Sequence, residues 1–251
     1  MIELTGVTKI YRSGVKAVDN LSLTVQSGEL FGFIGPNGAG KSTTIKMMVG
    51  LLEPTSGSIK IDGYDIRTQP LEVKKSIAYV PDNPDIYEKL TGIEYLNFIA
   101  DVYDVPSHLR QERLNYLLDA FDMTNAIGGL IEGYSHGMRQ KTVLIGALLH
   151  NPSVWILDEP MVGLDPRSAF QLKKMMREHC DQGHTVFFST HVLEVAERLC
   201  DRIGIIDRGR LVACGTLEEL RHGQRSESLE ELFLQLTDEE TVQGAQSEQQ
   251  Q

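Results

Sequence analysis

Gly35-Pro36-Asn37-Gly38-Ala39-Gly40-Lys41-Ser42-Thr43 directly follows the apolar run Leu30 to Ile34 and opens a helical pattern. Three glycines in six residues let the backbone N–H groups turn inward around an anion, with no side chain blocking close approach. Lys41 adds a compact positive charge suited to β and γ phosphates, and the Ser42 hydroxyl is a ligand for Mg²⁺. The helix that follows points its positive end at the same place. Strand, glycine loop, Lys-Ser pair and helix together predict a triphosphate-binding loop.

A phosphate loop becomes catalytic only with acids beside it. Val154-Trp155-Ile156-Leu157 has the pattern of a buried strand and runs straight into Asp158-Glu159-Pro160. The two acids then stand at the strand's carboxyl end, the edge where the phosphate loop of a doubly wound sheet also lies. There Asp158 is suited to hold Mg²⁺ through water, and Glu159 to orient or deprotonate an attacking water.

Such a site requires a particular order of elements. The first sixty-odd residues alternate strand-like runs with glycine turns: Ile2 to Leu4, Val15 to Val25, Leu30 to Ile34 and Ser58 to Ile61. A further strand, Ile77 to Val80, is stopped by Pro81. Thr91, with Glu94 three residues on, is a helix start; Tyr95, Ile99, Val102 and Tyr103 share one face of that helix and are expected to pack as a core stripe. A second helix covers about Ser107 to Phe121, and a third runs from Gly137 to about Leu149. Then strands Val154 to Leu157, Thr185 to Ser189 and Arg202 to Ile206 alternate with helices Pro166 to His179 and Leu193 to Leu199. This alternation predicts an α/β fold with a mostly parallel core sheet flanked by helices, a β-rich start and a helical insertion. Leu229, Leu232, Phe233 and Leu236 recur at helical spacing, so a last helix should dock, whereas 237–251 is acidic and expected to be disordered.

Composition narrows the function classes. With 251 residues, 41% apolar and 24% charged, the chain can build one large globular domain. Its 24 basic and 35 acidic residues leave −11, which argues against affinity built on neutralising nucleic-acid phosphates. Seven of the acids lie between Ser226 and Gln251 with no Lys or Arg, so the rest carries only −4. No apolar run approaches the ~20 residues needed to span a bilayer, and Met1 to Gly14 lacks a secretory pattern. Cys180, Cys200 and Cys214 are far apart without metal-ligand spacing and read as reduced, small apolar residues.

With these motifs assembled, the chain resembles the ATP-binding-cassette ATPases over Ile2 to about Leu236, and among them the ATP-binding subunits of two-gene (ABC-2 type) exporters. Further motifs follow in family order. Tyr11 stands where these proteins stack a ring on adenine, and Tyr134-Ser135-His136-Gly137-Met138-Arg139-Gln140 at the family signature. Gly163-Leu164-Asp165-Pro166 matches the dimer-contact loop, and Ser189-Thr190-His191 the switch histidine.

The resemblance implies a P-loop NTPase fold with a β-rich subdomain, a domain spanning 1–236 and a helical subdomain over about 84–150. It implies ATP and Mg²⁺ as cofactors. Two cassettes would pair head to tail, with Ser135 and the Gly137 amide of one facing the γ-phosphate held by the other. Glu159, His191 and Lys41 would be catalytic. Tyr11, Gly35 to Thr43, Ser135 and Gly137 would bind nucleotide, and Ser42, Asp158 and Asp82 the metal.

Two departures stand out: Asp82 occupies the place where the family usually has Gln, and His136 replaces the signature's first glycine. The partners implied are a transmembrane permease, docked near Asp82 to Leu90, and a second ATPase subunit, identical or homologous, with no nucleic acid. The implied location is cytoplasmic, at the inner face of the membrane, held there only through the permease. Two alternatives stay open on sequence alone: a soluble cassette acting outside transport, and a nucleotide-gated scaffold with weak turnover.

Overall fold

The computed structural model describes residues 1–221 and 229–235. The chain begins with β1 (Ile2–Ile10), β2 (Lys16–Val25) and β3 (Leu30–Ile34), followed by α1 (Lys41–Met48), β4 (Ser56–Ile61), β5 (Tyr64–Asp65), α2 (Pro70–Ser76) and β6 (Ile77–Val80). Three helices come next: α3 (Gly92–Val102), α4 (Ser107–Ala120) and α5 (His136–Leu149). Strand and helix then alternate through β7 (Val154–Asp158), α6 (Pro166–Asp181), β8 (Thr185–Thr190), α7 (Leu193–Leu199) and β9 (Arg202–Asp207), ending with β10 (Arg210–Gly215) and α8 (Leu217–Arg221). A last helical segment covers 229–235. Leu236 and the acidic segment 237–251 lie outside the described residues.

Two sheets result. The first strands pair antiparallel in the order β2-β1-β4-β5. In β2, Val18, Leu21, Leu23 and Val25 turn inward while Ser22 and Thr24 face solvent, as a one-sided sheet requires. The second sheet runs β10-β9-β3-β8-β7-β6 and is parallel except for β10. Every residue of β3, β7 and β8 is buried, which is why these strands read as unbroken apolar runs. Phe31, Phe33, Phe187 and Ile156 face the antiparallel sheet, with Phe31 stacked on Phe187 at 5.7 Å. Leu157, Phe188 and Trp155 face the helical side.

The parallel register sets the site. Ile34 pairs with Thr190, Asp158 with Ser189 and Val80 with Leu157, so β3, β6, β7 and β8 all end at one edge. The loops after these four strands carry the glycine segment, Asp82, Glu159 and His191.

The helical region has legible ends and one surprise. Thr91 Oγ1 accepts the N–H of Glu94 while the Glu94 carboxylate accepts the N–H of Thr91, a reciprocal cap worth about 1 kcal/mol. Tyr95, Leu96 and Ile99 close on Gly146 of α5, and Tyr103 stacks on His150 at 3.8 Å. Val102, expected in the core stripe, is instead 58% exposed. It shares the outward face with Phe98, four residues earlier, because α5 covers only the opposite side. The short elements α2, β5, β10 and α8 carry too few periodic residues to stand out in the sequence; β10 is a partly covered edge strand. The three cysteines are free: Cys180 is buried, as expected, while Cys200 and Cys214 are only partly so.

Two buried histidines make the fold sensitive to acid. Burial, chiefly, pushes both His150 and His179 down to about 4, although the former bonds to the Ile77 carbonyl and the latter stacks on Trp155 at 4.1 Å. Between pH 6.5 and 4 the unfolded chain therefore binds protons that the fold refuses, and stability falls as pH falls through that window. His179→Phe keeps the stack and removes the titration. Urea unfolding at pH 7 and pH 5 is expected to show the wild type losing roughly 2 kcal/mol more than this variant.

Candidate active site

The glycine loop borders a cavity of about 180 Å³ lined by Pro36, Asn37, Gly38, Gly40, Lys41, Ser42 and Thr43, together with Asp82, Glu159 and Ala17. The three loop glycines differ in what makes them necessary. A Cβ at Gly35 would lie 2.3 Å from the Ile206 carbonyl oxygen, and one at Gly40 2.5 Å from that of Ala17, so these two serve packing. Only Gly38, at φ +83, would carry its Cβ into open space, and it leaves the loop clear for an anion. Gly40, at φ 108, sets the start of α1, whose N–H groups open onto the cavity.

Lys41 is 7% exposed and donates to the carbonyls of Gly35 at 2.7 Å and Pro36 at 3.2 Å, curling the loop around its own ammonium. Burial pulls its pKa down; Glu159, Asp158 and Asp82 push it back up. Its Nζ is 3.9 Å from Glu159 Oε1, and His191 Nδ1 lies 3.0 Å from Glu159 Oε2. The Glu159 carboxylate, which lines the cavity, is thus held between two nitrogen-bearing side chains. Its backbone is left-handed, at φ 48, a conformation that costs a non-glycine residue on the order of 1 kcal/mol and turns the chain at the end of β7.

Asp158 lies behind it, 2% exposed. Burial raises its pKa, the Ser189 and Ser42 hydroxyls that bond to it oppose the shift, and Asp82 and Glu159 add to it. Tyr79 is pushed up to about 12 by burial and by the charges of Asp158 and Asp82, so its hydroxyl keeps its proton. Among the described residues no group of His, Cys, Asp or Glu forms a metal cage of its own. A buried carboxylate bonded to a serine hydroxyl beside a phosphate-sized cavity is nevertheless the oxygen-donor set Mg²⁺ uses, since that ion is held by one or two carboxylates together with substrate phosphates.

Not every expected residue gathers here. Tyr11 is half-exposed, with its hydroxyl 3.3 Å from Thr43 Oγ1, beside the cavity rather than within its walls. Ser135 and Gly137 stand elsewhere. Ser135 caps α5 by accepting the Met138 N–H at 3.3 Å. A Cβ at Gly137 would lie 2.6 Å from the Gly163 carbonyl oxygen, and one at Gly163 2.7 Å from the His136 ring. Lys141 Nζ reaches Asp165 Oδ2 at 2.6 Å, holding that carboxyl well below the usual range while it caps α6. The segment Ser135 to Gly137 therefore packs on the loop around Gly163 of the same chain, and neither Ser135 nor Gly137 is among the residues that line the cavity.

Two contributors were not singled out from sequence. Ala17 had no local signal, because its carbonyl lies against Gly40 and Gly209, both distant from it in the chain. Ser189 was visible only as part of the motif before His191.

The model of the ABC transporter family matches residues 18–162. The chain is 39% identical to the ABC-type transporter ATP-binding protein EcsA of Bacillus subtilis, over 88% of this chain and 90% of that protein. It is also 39% identical to the daunorubicin/doxorubicin resistance ATP-binding protein DrrA of Streptomyces peucetius, over 88% of this chain and 66% of that one. A solved structure of the ATP-binding subunit of an ABC transporter superposes with a TM-score of 0.90 at 37% identity, covering 94% of this chain and 99% of that chain. The phosphate loop, its facing acids and these likenesses agree: the chain belongs to the ABC transporter family, as an ATP-binding and ATP-hydrolysing subunit.

Proposed function

We propose that this subunit hydrolyses ATP in a site shared by two ATPase subunits and thereby powers export through a separate membrane permease. The observation that carries this reading is the division of the site. Lys41 and Glu159 line one cavity with His191 against Glu159, whereas Ser135, at the capped start of α5, is not among the residues that line it. Each half lacks what the other half of a head-to-tail pair would bring.

In the closed pair, Lys41 and the loop amides hold the phosphates, with Tyr11 against the adenine. Ser42 and Asp158 would hold Mg²⁺, with Asp82 in reach; when bound, the ion neutralises charge on the transferred phosphoryl group. Glu159 accepts a proton from the attacking water, and His191 keeps the Glu159 carboxylate in place while reaching toward the γ-phosphate. Ser135 and the Gly137 amide of the second subunit donate to the charge that develops. The second subunit is a copy of this chain or a homologue.

Helices within about 84–150 would form the transmitting subdomain. Tyr87 is 62% exposed and meets the half-exposed Phe98 edge-on at 5.9 Å, with Val102 beside it, an outward apolar strip on a mildly acidic body. A strip of this kind is suited to receive the permease, and the described residues contain no helix long and apolar enough to cross a membrane. The permease would then hold the subunit at the cytoplasmic face. Export, rather than import, is favoured by the drug-resistance relative. Phe98→Glu is expected to leave the basal ATPase rate of the purified subunit unchanged and to remove its recovery with the membrane fraction that holds the permease. Unchanged recovery would move the docking surface elsewhere.

A further inference from the structure

Ser189 faces Asp158 across the parallel pairing of β7 and β8 and is wholly buried. Its hydroxyl donates to Asp158 Oδ1 at 2.6 Å and accepts the backbone N–H of Glu159 at 3.0 Å. A serine hydroxyl can do both at once because it carries one donor and two acceptor lone pairs. Its neighbours along the strand, Phe187 and Phe188, show that this part of the sheet is built for apolar side chains. A polar group is retained in such a place only with partners, and both of its partners belong to the acid pair.

The second bond falls where the backbone most needs it. Glu159 is left-handed at φ 48, and a non-glycine residue keeps that conformation only when its surroundings over-determine it. Its N–H is tied to Ser189, its carbonyl accepts the Val162 N–H at 3.1 Å, and its carboxylate lies between Lys41 and His191. Losing the Ser189 oxygen would release the backbone end of that arrangement and the inner carboxylate together.

We infer that Ser189 is a positioning residue for ATP hydrolysis: one buried hydroxyl fixes the Asp158 carboxylate and the Glu159 backbone in a set relation. The inference rests on the reading of Glu159 as the acid that activates water. A displacement of the order of 1 Å at a group of this kind lowers turnover by about 100-fold without removing the substrate contacts.

The test compares Ser189→Ala, Ser189→Cys and Ser189→Thr with Glu159→Gln, in the full chain. Steady-state phosphate release gives kcat and KM for ATP, and light scattering with and without ATP reports pairing. Ser189→Ala is expected to lower kcat roughly 10- to 100-fold with KM within about threefold, while pairing on ATP persists. Ser189→Cys, close in size to serine but a weak hydrogen-bonding group, is expected to match it. Ser189→Thr, which keeps the hydroxyl, is expected to recover most of the lost kcat.

Wild-type kcat in Ser189→Ala, alongside an inactive Glu159→Gln, would overturn the inference and leave the role of Glu159 intact. Turnover and pairing lost together, without rescue by threonine, would reduce Ser189 to a structural part and overturn it as well. Turnover by Glu159→Gln at the wild-type rate would instead remove the reading on which the inference stands.

Discussion

Glu159→Gln is expected to lower phosphate release by about 10²- to 10⁴-fold while leaving nucleotide binding in place. An amide matches the carboxylate in size but cannot accept the proton of an attacking water, and general-base catalysis is worth about 10² to 10⁴ in rate. The geometry makes the loss selective. Glu159 Oε1 is 3.9 Å from Lys41 Nζ and its backbone is fixed through Ser189, so the neutral side chain should hold its place. Removing one negative charge from a cavity that also holds Asp158 and Asp82 should, if anything, favour the phosphates. Bound ATP that is not consumed keeps the pair closed. A dimer that accumulates with ATP and dissociates on its removal is the accompanying result, read by light scattering. Equal phosphate release from wild type and variant would remove Glu159 from the chemistry.

Lys41→Ala is expected to act one step earlier, on binding. The ammonium is buried and donates into the loop that would cradle the phosphates, and its charge is coupled to those of Glu159, Asp158 and Asp82. Without it the cavity presents acids to an anionic ligand. Truncating a buried, hydrogen-bonded charge costs about 2 to 5 kcal/mol, or roughly 30- to 5,000-fold in affinity. Titration with a fluorescent ATP analogue should show weakening in that range, with ATP-dependent pairing lost at concentrations that close the wild type. Affinity within threefold of wild type would mean that the loop amides and the helix terminus hold the phosphates alone.

How far these residues could be located beforehand follows from how local their signals are. The glycine loop and Asp158-Glu159 each adjoin an apolar strand in the chain, so residue order alone placed them at one sheet edge, and the parallel register of β3, β8 and β7 puts them there. The reciprocal cap of Thr91 and Glu94 was equally local. What sequence order could not convey is contact between distant segments. Gly35 looked like clearance for phosphates, yet its missing Cβ is needed against the carbonyl of Ile206. His136 read only as a departure from the family signature; that its ring lies against Gly163 of the same chain is a contact between distant segments. Val102 had the right spacing for the core, but α5 covers the other side of its helix. Ser189 belonged to a recognisable motif, while its two bonds span β7 and β8 and depend on their register.

The divided site is the centre of this account, and mixing two inactive variants tests it most directly. Lys41→Ala disables the phosphate loop, and Ser135→Arg blocks the signature cap; each should be nearly inactive alone. In a head-to-tail pair built from one chain of each kind, both defects fall in the same site, and the other site combines an intact loop with an intact signature. At protein concentrations high enough to pair both variants, phosphate release from an equimolar mixture is therefore expected to rise to roughly a quarter of the wild-type rate, since about half of random pairs are mixed and each has one whole site. A mixture no more active than its two components, with both variants folded and paired, would contradict a site shared between two copies of this chain.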